Sequence, residues 1–94
     1  MDKQLEMFQE KVLHICYAFY RYEINNGLSH LESMIPQLTE LLSQHTVQGE
    51  HLNEINNLLE MVLVAVEKKD FLIAADLLKY ELLKRILSVN SYSA

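Results

Sequence analysis

Glu67-Lys68-Lys69-Asp70-Phe71-Leu72-Ile73-Ala74-Ala75-Asp76-Leu77-Leu78-Lys79-Tyr80-Glu81-Leu82-Leu83 decides the fold. Asp70 is a strong helix N-cap and a poor interior residue, because its short carboxylate bonds free backbone N–H groups at a helix start. One unbroken helix over residues 50–89 would be long for a 94-residue chain. The sequence therefore predicts a break at Asp70 and a new helix over 71–89. That helix has more apolar surface than one core needs. Its first face is Phe71, Ala75, Leu78, Leu82, Ile86 and Val89. Its second is Ile73, Leu77, Tyr80 and Leu87, interrupted by Lys84.

Upstream, the same reading yields three more helices. Leu5, Phe8, Val12, Ile15, Phe19 and Tyr22 recur at steps of three and four over 3–25. Asn25-Asn26-Gly27 is the expected stop, since Asn and Gly tolerate the left-handed backbone of a C-terminal cap. A second helix is expected over 28–44, with Leu28, Leu31, Met34, Ile35, Leu38, Leu41 and Leu42 inward. Ser29 and Glu32 have the spacing of a capping box. Pro36 lacks a backbone donor and clashes with the preceding turn, so a kink is expected there. His45–Gly49 reads as a loop. The third helix, over 50–69, turns Leu52, Ile55, Leu58, Leu59, Val62, Ala65 and Val66 to the core, with Lys68 and Lys69 favouring the dipole of its last turn. Asn90–Ala94 is expected to fray. The fold class is all-α: one domain over 1–94, an antiparallel four-helix bundle kinked at Pro36 and assembled as a dimer. Two glycines and one proline are too few for the turns of an all-β fold.

The first helix carries a second stripe as well: Leu13, Tyr17, Tyr20 and Ile24. A bundle helix needs one apolar stripe of roughly 100°. Burying the four large side chains of one extra stripe is worth about 6–10 kcal/mol, comparable to the whole stability of a small domain. The candidate partner-binding residues are therefore Leu13, Tyr17, Tyr20, Ile24, Ile73, Leu77, Tyr80 and Leu87. Tyrosine suits such a surface, because its ring buries well while its hydroxyl stays wet.

Charge and composition narrow the partner. The net charge is −5, and no Lys or Arg occurs between Arg21 and Lys68. Phosphate-backbone binding needs clustered positive charge, so no nucleic acid is expected. The acidic balance also disfavours anionic lipid, and the longest apolar runs, Met61–Val66 and Phe71–Ala75, are too short to span a bilayer. Cys16 is the lone cysteine, so no intrachain disulfide forms, and a buried inert thiol is expected. Met1-Asp2-Lys3-Gln4 lacks the basic-then-apolar order of a signal peptide, and the expected location is cytoplasmic.

No catalytic constellation is legible. The histidines are His14, His30, His45 and His51. Glu10-x-x-x-His14 and His51-x-x-Glu54 lie on polar helix faces, and Glu-x-x-His, the pattern bundles use for metal, does not occur. Cys16 and His14 are two apart on a helix and point away from each other, so they form no nucleophile pair. Neither metal nor cofactor is expected, and no enzyme.

Two resemblances touch the quoted stretch. Asp70-Phe71 followed by Ala74 resembles the Asp-aromatic-x-x-Ala start of second helices in tetratricopeptide-like hairpins, which implies a sharp turn; the thirty-four-residue period of those repeats does not occur. Lys69–Leu83 is similar to a Lys-Asp-aromatic…Ala-Asp-Leu-Leu-x-Tyr-Glu-Leu segment of small uncharacterised helical-bundle proteins of Gram-positive bacteria. That resemblance implies a helical, cytoplasmic protein and no known activity. In size, acidity and surplus apolar surface the chain also resembles secretion and flagellar export chaperones. The expected function is a non-enzymatic protein-interaction module, an adaptor or chaperone-like bundle that takes an amphipathic helix or a second copy. The alternatives are a small-molecule-binding bundle or enzyme with an interhelical cavity, and a purely structural homodimer.

Overall fold

The computed structural model describes residues 3–44 and 49–92, and they are helical apart from two three-residue turns. Helix α1 spans Lys3–Tyr20, α2 spans Ile24–Gln44 and α3 spans Gly49–Glu67. The last rod covers 71–92. It begins as α4 (Phe71–Asp76), passes through a π-helical stretch (Leu77–Leu82) and ends as α5 (Leu83–Tyr92). Residues 45–48 of the expected loop, with Ser93 and Ala94, lie outside the described residues; Gly49 is the first residue of α3.

The first turn lies upstream of the position expected from Asn25-Asn26-Gly27. Helix α1 ends at Tyr20 and α2 begins at Ile24, so those three residues are helical. Tyr22 takes the left-handed role itself, with φ 59°. Its N–H bonds the carbonyl of Phe19 at 3.1 Å, and the N–H of Glu23 bonds that of Ala18 at 2.8 Å. Those are the paired reverse bonds of a Schellman cap. An Arg21–Glu23 ion pair at 3.3 Å spans the turn. Tyr22, expected in the core stripe, is thereby thrown outward and is exposed. Gly27 is glycine for a different reason. A Cβ there would sit 2.4 Å from Cε1 of Phe19, so the missing side chain lets α2 approach that ring. Ser29 and Glu32 lie well inside α2 and cap nothing.

The second turn repeats the device. Lys69 has φ 62°. Its N–H bonds Val66 at 2.9 Å, and the N–H of Asp70 bonds Ala65 at 2.8 Å. Lys68 and Lys69 therefore lie beyond the end of α3 rather than in its last turn. Asp70 closes α3 and opens α4 at once: its Oδ1 accepts from the N–H of Ile73 at 3.4 Å. The expected end of the final helix at Val89 is extended, since α5 continues through Tyr92.

Helix α1 packs against α2 and against the last rod, and α3 packs against the rod from its other side. The core is aliphatic and aromatic, with no buried polar or charged residue among those described. Leu5, Phe8, Val12, Ile15 and Phe19 supply α1's share, and Leu31, Met34, Leu38 and Leu41 supply that of α2. Ile55, Val62 and Ala65 face them from α3. The rod adds Ala74, Ala75, Leu78, Leu82, Leu83 and Ile86. Pro36 sits within α2, where its ring costs one intrahelical bond.

Candidate interaction surface

The last rod positions the surface, because it lies between α1 and α3. Of the eight candidate residues, Leu13, Tyr17, Tyr20, Ile73 and Tyr80 are exposed. Tyr17 and Tyr80 are the most open, at 64% and 57%. The other three differ from expectation. Ile24 starts α2 and packs partly on the core, and Leu77 and Leu87 are half-buried against it. For Leu87 the cause is the π-helical stretch, which turns the rod's C-terminal part inward relative to a straight helix.

One polar tip stitches the seam between α1 and the rod. The Tyr20 hydroxyl donates to Oδ1 of Asp76 at 2.6 Å. That hydrogen bond, with some desolvation, holds the hydroxyl well above the usual tyrosine range. The Arg21 guanidinium lies 5.1 Å from the Tyr17 ring centroid, and the Lys79 ammonium 5.3 Å from that of Tyr80. These cations shield ring faces that would otherwise be fully wet. Cys16 lies behind the seam. Its thiol donates to the Ala75 carbonyl at 3.3 Å, and burial pushes it up to about 11, so it is protonated and unreactive at neutral pH.

On the other side of the rod lies an apolar groove of about 580 Å³. Asn57, Glu60, Met61 and Val64 line it from α3, Lys68 and Asp70 from the turn, and Ile73 and Leu77 from the rod. It contains two of the eight candidate residues. Met61 and Val64, 51% and 41% exposed, are not among them. Their signal was the run Met61–Val66, which holds more apolar residues than the inward stripe of α3 uses. The inward stripe takes only Val62, Ala65 and Val66 of that run.

A smaller cleft beneath α1 and α2 gathers His14, Tyr17, Glu23, Asn26 and His30. The His14 and His30 rings lie 5.6 Å apart. The Lys11 ammonium meets Nδ1 of His30 at 3.3 Å. Since an ammonium can only donate, His30 is neutral with its proton on Nε2. Burial first, then Lys11 and His14, hold His30 below the usual histidine value of 6.5. The unfolded chain therefore gains this proton before the folded chain does. Stability is full above pH 6.5 and falls as pH drops through the folded value. Urea unfolding from pH 8 to 5 should show that decline, and His30→Gln should flatten it; an equal slope in both proteins would refute the assignment. Among the described residues no group of three or more His, Cys, Asp or Glu side chains is placed to hold a metal ion. None of the described helices is long and apolar enough to cross a membrane.

Fold and surface define a small all-helical domain whose outward apolar residues lie on α1, α3 and the last rod. The chain belongs to the family described as Domain of unknown function (DUF8042), whose model matches residues 2–91. No curated protein and no solved structure matches it.

Proposed function

We propose that this chain is a non-enzymatic protein-interaction module of the cytoplasm, a small adaptor or chaperone-like bundle that works as a homodimer. In this reading the helices run antiparallel, and α2 bends at Pro36, where the proline ring displaces the preceding turn. The observation that carries it is the outward placement of Leu13, Tyr17, Tyr80, Ile73, Met61 and Val64. Each would gain about 1.5–3 kcal/mol on full burial, less the part already covered. Of these, Met61, Val64 and Ile73 adjoin in the groove, and contiguous exposed apolar surface marks an interaction site.

The test is mass in solution by light scattering over a dilution series, followed by co-purification from the native cell. A dimeric mass at micromolar concentration is expected. A monomer that stays soluble when concentrated and brings down no protein overturns the reading. The groove beside α3 favours a second reading, a small-molecule-binding bundle, because its walls are mostly apolar. Saturable binding of a fluorescent apolar probe to a stable monomer would favour that reading over the first.

A further inference from the structure

We propose that the groove between α3 and the last rod seats a second copy of this chain, with α3 crossing its counterpart antiparallel about a two-fold axis near Val64. This rests on the homodimer reading above and supplies its interface.

The argument is the arrangement of charge about the axis. A two-fold contact brings the same patch of both subunits together, so each residue must suit the one its mirror position presents. With the axis at Val64, residue 64+n of one subunit faces residue 64−n of the other. Glu60 and Lys68 line the groove four positions before and four after Val64. Lys68 then meets Glu60 of the partner subunit, and Glu60 meets the partner's Lys68. A groove edged by one sign would repel its own copy; this one has Glu60 at one end and Lys68, with Asp70 beside it, at the other. Both side chains are exposed, and neither has an ion pair among the described residues. Asp70, the other carboxylate in the groove, accepts the capping bond from the N–H of Ile73 at 3.4 Å and makes no ion pair with Lys68 among the described residues. Glu60 and Val64 form an i, i+4 row on α3, the kind of row that interdigitates when helices cross, and the Lys68 N–H bonds the Val64 carbonyl at 3.0 Å, which carries the row into the turn. Between the charges, Val64 lies at the crossing and Met61 enters the neighbouring groove against Ile73 and Leu77.

Sedimentation equilibrium on wild type, Glu60→Lys, Lys68→Glu and the double exchange tests this, with circular dichroism confirming the fold of each. Either single reversal sets like charges opposite each other and should raise the dimer Kd about 10- to 100-fold. The double exchange should return it to within about threefold of wild type, because each pair is restored with its signs swapped. The two single variants, mixed, should form a heterodimer that neither forms alone. A wild-type dimer that none of the changes weakens overturns this interface and leaves self-association standing. A wild-type monomer overturns both. A double exchange as weak as the single variants also refutes the pairing.

Discussion

Phe19→Ala is expected to remove about 3–5 kcal/mol of folding stability, the range for truncating a fully buried aromatic residue. A domain of this size has about 5–15 kcal/mol in all, so the variant should unfold at a midpoint well below that of wild type. The ring sits where three pieces of the chain meet. It is fully buried, its centroid lies 5.3 Å from that of Phe71 at the start of the rod, and its edge touches the backbone of α2 at Gly27. That last contact makes a sharper companion test. Alanine normally improves a helix interior over glycine by about 1 kcal/mol. At Gly27 the added methyl would press on the Phe19 ring at 2.4 Å, and overpacking costs about 1–3 kcal/mol. Gly27→Ala should therefore destabilise wild type. In the Phe19→Ala background the ring is gone, and the same change should stabilise. Urea midpoints for the four proteins of this cycle give the coupling directly. A Gly27→Ala change that stabilises wild type would show that α2 does not rest on that ring.

The same glycine explains what the amino-acid pattern hid. The inward stripes of α1, α2 and α3 were legible because period-3.6 spacing is all a buried helix face requires. The turn at Asp70 was legible because a capping aspartate has a chemical signature. The turn at Tyr22 was not. It uses the same reverse hydrogen bonds, but its left-handed residue is tyrosine and its closing residue is Glu23, neither of which signals a helix end. Gly27, which resembles a stop signal, serves close packing instead. The site was half legible for a related reason. Apolar excess can be counted along one helix, which marked Ile73, Tyr80, Leu13 and Tyr17. Which second helix completes a groove depends on packing between segments, so Met61 and Val64 became visible only once α3 lay beside the rod.

Leu83→Ala is expected to cost about 2–5 kcal/mol, as much as Leu82→Ala, although Leu83 belongs to neither apolar face of a straight helix. In an α-helix, residues five apart are offset by about 140°, so with Leu78 inward Leu83 would point to solvent. The π-helical stretch removes that offset. The N–H of Leu83 bonds the carbonyl of Leu78, which stacks the two residues one wide turn apart. Leu78, Leu82, Leu83 and Ile86 are consequently all buried. A loss below about 0.5 kcal/mol for Leu83→Ala, the scale of a surface change, would show that the rod is a plain α-helix in solution. The wide turn also predicts which residue the chain can spare. Deleting exposed Glu81 from Leu77–Leu82 leaves Leu78 and Leu83 four apart, which an ordinary α-helical turn stacks on the same face. The deletion should keep cooperative unfolding and native helix content. Deleting exposed Glu10 from α1 should not, since it rotates every later core residue of that helix by about 100°. Circular dichroism and urea unfolding of the two deletions separate the outcomes. If loss of Glu81 is as damaging as loss of Glu10, the π turn does not set the register by which the rod fills the core.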